Sequence, residues 1–137
     1  MSSTLFTPYK LGPVTLRNRT IRSAAFESMG KDFGPTRQLK DYHVAVARGG
    51  VGMTTLAYAA VCRSGLSFNK QLWLRPEIVP GLREITDAVH REGAAAAIQI
   101  GHCGNMTHWT TAGQMPIGAS TLSLIHISEP TRHSLIS

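Results

Sequence analysis

Three short stretches hold residue types that could do chemistry, and each ends an apolar run. "AIQIGH" finishes in Gln99-Ile100-Gly101-His102, "SAAF" spans Ser23 to Phe26, and "LAYAA" sets Ala57 and Tyr58 among small residues. A glutamine at the end of an apolar run is expected to be buried, and a buried glutamine needs partners for both ends of its amide. Small residues such as Ala24, Ala25 and Ala57 let a planar ring lie close to the backbone; they serve equally well as interior packing. Tyr58 reads either as a site residue or as a core aromatic whose hydroxyl finds a partner.

Other candidates are weaker. Cys62, His102, Cys103 and His108 are of types that suit zinc, but no C-x-x-C or H-x₃-H spacing joins them, so no metal site is expected. His102 reads as a hydrogen-bonded structural histidine. Two cysteines make no disulfide framework, and Met1-Ser2-Ser3-Thr4 lacks the basic and apolar blocks of a signal peptide. A cytoplasmic chain with reduced thiols is expected. The net charge of +6 comes from scattered residues such as Arg17, Arg22, Lys31 and Arg48, with no aromatic-interleaved stripe. Nucleic acid is therefore not an expected partner. A positive field could instead draw in a phosphate-bearing cofactor. No run reaches the roughly 18 apolar residues of a membrane span, so no membrane partner is expected either.

The elements that must position these residues follow from punctuation and period. Leu11, Val14 and Leu16 flank a Gly12-Pro13 turn, which predicts a β-hairpin. "TIRSAA" predicts a strand over Thr20–Ala25. Leu39, Tyr42 and Val46 share one helical face, ended by Gly49-Gly50. "VGMTTLAYAAV" predicts a buried strand of a parallel sheet. "CRSGLSFNKQLWLRPE" reads as a long loop. Pro80 opens a second helix with Leu82, Ile85 and Val89 on one face and Gly93 at its end. "AAAAIQIGH" is then a third strand. The order hairpin-β-α-β-α-β implies a parallel α/β sheet with right-handed crossovers. A doubly wound open sheet and the start of a (β/α)₈ barrel both fit. The first strand-to-helix turn has no G-x-G-x-x-G fingerprint, which counts against a dinucleotide-binding open sheet.

"LFTPYKLGPVTLRNRTIRSAAFESM", "ARGGVGMTTLAYAAV" and "DAVHREGAAAAIQIGHCGN" resemble, in order and spacing, the start of the old yellow enzyme family, the FMN-dependent NADH:flavin oxidoreductases. The resemblance covers about Leu5 to Ser120. It implies the N-terminal part of a TIM (β/α)₈ barrel, a hairpin plus about three βα strands, truncated relative to the roughly 250 residues such barrels need. Residues 1–121 would be that fragment. The resemblance also implies FMN as cofactor, NADH or NADPH as reductant, and an activated alkene or enone as the small-molecule substrate. Ala24, Ala25, Phe26, Ala57, Tyr58 and Gln99 fall on flavin-contacting positions. Phe26 and Tyr58 depart from the smaller residues common there. The family's substrate-polarising pair would lie beyond this chain, so no catalytic residue is assigned. Two rival readings are another FMN- or phosphate-ligand barrel enzyme and a basic, non-enzymatic binding module.

"LSLIHISEPTR", Leu122 to Arg132, loses the βα logic and resembles a translated sequencing-library adapter, as does Ile136-Ser137. Residues 122–137 are expected to be a non-native tail and are set aside from fold reasoning. On this reading, purified 1–137 should be colourless, poorly soluble and unable to oxidise NAD(P)H. A soluble yellow preparation with stoichiometric FMN would contradict it.

Overall fold

The computed structural model describes residues 3–118, so the segment 122–137 and the boundary at 121 lie outside the described residues. The chain opens with a hairpin of β1 (Tyr9–Leu11) and β2 (Val14–Leu16). Gly12 takes φ 55°, and Pro13 holds the next φ negative, the sign pattern of a type II′ turn.

A parallel sheet follows. Its central strand is β4 (Met53–Ala60), flanked along one edge by β6 (Ala95–Gly101). The other edge is shared by two short strands. β3 (Ile21–Arg22) pairs with Met53 and Thr54, and β5 (Leu72–Trp73) pairs with Ala59 and Ala60. Helix α1 (Arg37–Arg48) connects β3 to β4, and α2 (Val79–Arg91) connects β5 to β6. A short α3 (Trp109–Ala112) comes last among the described elements. The core lies between the helices and one sheet face, with Leu39, Ala47, Leu56, Ala59, Leu72, Ile85, Val89 and Ala94.

Three expectations need correction. The first parallel strand is Ile21–Arg22 rather than Thr20–Ala25, because the chain leaves the sheet edge after Arg22. The presumed long loop contains β5, which takes over that edge higher up. On α1 the buried face is Leu39, His43 and Ala47, with Tyr42 and Val46 only half-buried. His43 points inward because it has polar partners there, described below. The second helix agrees better: Ile85 and Val89 are buried, Leu82 packs against the core, and Gly93 follows the helix with φ 77°.

The "LRNR" element ties the lower ends of these pieces together. Leu16 is buried. The Arg17 guanidinium donates to Ala47 O in the last turn of α1, to Val51 O at 2.9 and 3.0 Å, and to Glu92 O at 2.8 Å just past α2. One cation thus satisfies carbonyls at two helix C-termini, where the helix dipoles also favour positive charge. Asn18 donates to Gly50 O at 2.7 Å and accepts from the Thr20 N–H and hydroxyl. Gly52 is required beside it, since a Cβ there would stand 2.5 Å from the Asn18 carbonyl oxygen. Arg17→Met should destabilise the intact protein by about 2–4 kcal/mol, because buried carbonyls lose a charged donor. Arg19→Met, which removes only the stacking of Arg19 on Tyr9, should cost at most about 1 kcal/mol. Thermal or denaturant melts of both variants check this.

Candidate functional site

The upper, C-terminal ends of β4 and β6 carry the candidate residues. On β6, Ala96 and Ile98 pack against the helix-side core, so alternation turns Ala95, Ala97 and Gln99 to the opposite face. β4 does not alternate throughout. Leu56 pairs with Ile98 and Ala59 with Ile100, so two residues on β4 stand against one on β6. The extra residue is a β-bulge at Ala57-Tyr58, and Leu56 and Ala59 both reach the core across it. Bulges re-aim side chains at strand ends. Here the bulge brings Tyr58 beside Gln99.

Tyr58, Gln99, Ile100, Gly101, His102 and Cys103 line one open concavity of about 230 Å³. Gln99, expected to be buried, is instead exposed at the open mouth of the concavity and has no side-chain hydrogen bond among the described residues. A Cβ on Gly101 would meet open space. Tyr58 packs a tilted ring 5.5 Å from Phe26, and Phe26 stacks on Phe68 at 4.8 Å. Burial, reinforced by Cys103 with its Sγ 3.8 Å from the hydroxyl, pushes the Tyr58 pKa up to about 12. The phenol therefore remains a neutral donor at ordinary pH. His102 is hydrogen-bonded at both ring nitrogens, as expected of a structural histidine. Gly104 N–H donates to Nδ1 at 2.9 Å, which places the ring proton on Nε2, 3.1 Å from Ser64 Oγ.

The remaining sequence candidates are placed as follows. Ala57, in the bulge itself, is buried at 5% exposure. Ala24 is half-buried and Ala25 exposed, in the irregular segment after β3. Ala25 O accepts from Arg22 at 3.2 Å. Among the described residues, no group of three or more His, Cys, Asp or Glu could hold a metal ion. Likewise, no helix of the described residues is long and apolar enough to cross a membrane.

Sequence reasoning missed Glu27, next to Phe26. Its side chain is 2% exposed. Oε1 accepts from Arg22 Nη1 at 2.7 Å, and Oε2 accepts from Ala57 N–H at 3.1 Å. Oε1 also lies 3.3 Å from Nε2 of the fully buried His43, close enough for an electrostatic contact but not aligned as a hydrogen bond. His43 Nδ1 meets Thr54 Oγ1 at 2.8 Å, and Arg22 also donates to Thr55 O at 2.6 Å. Burial alone would raise the Glu27 pKa. His43, the N–H groups of Ala57 and of Glu27 itself, and Arg22 outweigh that and hold it below the usual carboxylate value. The signal for Glu27 was one acid in an otherwise small and apolar strand end, five residues after Arg22.

The sheet, its one-sided helices and a site at the strand ends are those of the first part of a (β/α)₈ oxidoreductase barrel. Solved structures agree. A morphinone reductase in complex with tetrahydroNAD superposes with TM-score 0.79 at 26% identity, over 88% of this chain and 34% of that one. An old yellow enzyme homologue from Zymomonas mobilis superposes with TM-score 0.76 at 24% identity, over 83% and 32%, a likeness of fold alone. The sequence profile of the NADH:flavin oxidoreductase / NADH oxidase family matches residues 4–131, and the chain belongs to that family. The match runs past Ser120, where the resemblance in the sequence was drawn to end. A 4,4'-dithiodibutanoate disulfide reductase from Rhodococcus erythropolis is 48% identical over 100 residues, 73% of this chain and 25% of the relative. The chain thus spans between about a sixth and a third of the length of the proteins it matches, 17% to 34%. The family's members are oxidoreductases, with FMN and a nicotinamide nucleotide as their redox pair.

The lowered Glu27 pKa has a pH consequence. A carboxylate depressed in the fold stabilises above its unfolded value, near 4.5, and that contribution is lost as pH falls through the lower folded value. Glu27→Gln should therefore melt below wild type at pH 7, with the gap narrowing below pH 4.5. A gap that stays constant down to pH 3 would contradict the assignment.

Proposed function

We propose that this chain supplies the flavin-holding floor of an FMN-dependent oxidoreductase of the ene-reductase type. The observation that carries the reading is the Gln99 amide. Among the described residues it makes no side-chain hydrogen bond, and it stands at the end of β6 in one concavity with the Tyr58 hydroxyl, with open space above Gly101. These groups fit FMN. Gln99 would pair with the alternating acceptors and donor of the ring's pyrimidine edge, and Tyr58 would offer a neutral O–H. Ala24, Ala25, Phe26 and Ala57 would complete the floor. When bound, FMN supplies hydride transfer from NADH or NADPH to the β-carbon of an alkene conjugated to a carbonyl. The residues assigned to this chain bind and orient rather than exchange protons with substrate. Turnover on this reading needs groups beyond those assigned here, and residues 1–137 alone would be inactive.

A second reading concerns only the acceptor. The relative that is 48% identical carries the name of a disulfide reductase. A disulfide taking two electrons and two protons to give two thiols is the alternative acceptor. Rapid mixing of the reduced intact protein with 2-cyclohexenone and, separately, with 4,4'-dithiodibutanoate distinguishes them by which one reoxidises the flavin.

Gln99→Leu tests the floor itself. FMN affinity of the intact protein should fall about tenfold or more, the cost of one or two hydrogen bonds. The apoprotein melt should not change, since Gln99 is exposed and has no side-chain hydrogen bond among the described residues. Quenching of FMN fluorescence reads the affinity, and an unchanged dissociation constant would sink the proposal.

A further inference from the structure

We propose that Glu27 is a positioning residue for the flavin: its carboxylate fixes the bulge in β4 that presents Tyr58 beside Gln99. This rests on the reading that FMN lies over those two residues.

The argument starts from the Ala57 N–H. At the bulge the pairing of β4 with β6 slips between Leu56 and Ala59. On the other edge β3 pairs only as far as Thr54, and β5 begins only at Ala59. No strand partner reaches Ala57, yet the residue is buried. A buried N–H without an acceptor is costly. Glu27 Oε2 is its acceptor, at 3.1 Å.

The carboxylate is held in turn. Arg22 reaches Oε1 at 2.7 Å while donating to Thr55 O, the other β4 group left open on that edge. His43 stands 3.3 Å from Oε1 and is set by Thr54. A charge buried this deeply persists only when paired. The pairing includes the Ala57 N–H, and that group lies next to Tyr58. Consecutive residues 26 and 27 also grip consecutive residues 58 and 57. The Phe26 ring leans on the Tyr58 ring at 5.5 Å, and Glu27 binds the Ala57 N–H. The segment after β3 therefore sets both the backbone and the ring of the bulge.

The test uses the intact protein with FMN as the probe. Glu27→Asp keeps the charge opposite Arg22 but withdraws the acceptor by one carbon–carbon bond, about 1.5 Å. Glu27→Gln keeps the length and removes the charge. In Glu27→Asp the apoprotein should melt within a few degrees of wild type. Its FMN dissociation constant should nevertheless rise about tenfold, with a shifted visible flavin band, as expected when one buried hydrogen bond no longer shapes the site. A role in stability alone would move the melt and leave the band in place. If Glu27→Gln fails to fold, Glu27→Asp decides. Wild-type affinity and spectrum in folded Glu27→Asp overturn the positioning role. Failure of the wild-type protein to hold FMN overturns the flavin reading instead, so the two failures are distinguishable.

Discussion

Every N–H and C=O along β4 must be bonded although the strand on one side of it is two residues long. This constraint organises the upper half of the structure. The open edge is closed in three pieces: β3 at Met53 and Thr54, the Arg22 and Glu27 side chains at Thr55 and Ala57, and β5 at Ala59 and Ala60. Side chains stand in for a strand where a strand would enforce regular pairing. The irregular stretch between Leu56 and Ala59 exists because its polar groups are satisfied in this way. Without it, Tyr58 would not share a concavity with Gln99.

The lower half obeys a different economy. Arg17 and Asn18, which belong to one of the stretches that made the sequence resemble a family, touch none of the candidate site. They bind carbonyls at the helix ends and at the entry to β4. Their spacing is fixed because four chain segments meet one guanidinium and one amide. Such a motif identifies the frame, and the chemistry is written separately at the strand ends.

Much of the frame was legible because glycine and proline punctuate it. The turn at Gly12-Pro13, the stops at Gly49-Gly50 and Gly93, and the alternation of strand and helix were all readable. What escaped the sequence depended on distant partners. His43 is polar, so a hydrophobic pattern favours Tyr42 and Val46; its burial comes from Thr54 and Glu27. The strand at Thr20–Ala25 was drawn too long because propensity does not reveal that Leu72-Trp73 competes for the same edge. The bulge was invisible in "TTLAYAAV", where nearly every residue is small or apolar and no period survives. Gln99 and Tyr58 were readable only as separate strand ends, and the fold brought them together.

The bulge also makes β4 a strand that counts. Below Leu56 its faces are fixed by pairing with Ala95–Ile98, and above Ala59 by pairing with Ile100 and Gly101. The two frames differ by one residue. Losing a single residue between them would restore even pairing and leave Ala59 opposite Ile100 on the core face, but it would abolish the bulge that presents Tyr58. The number of residues at 57 and 58 thus decides whether the bulge exists at all. Length, as well as identity, is what that part of the gene must inherit.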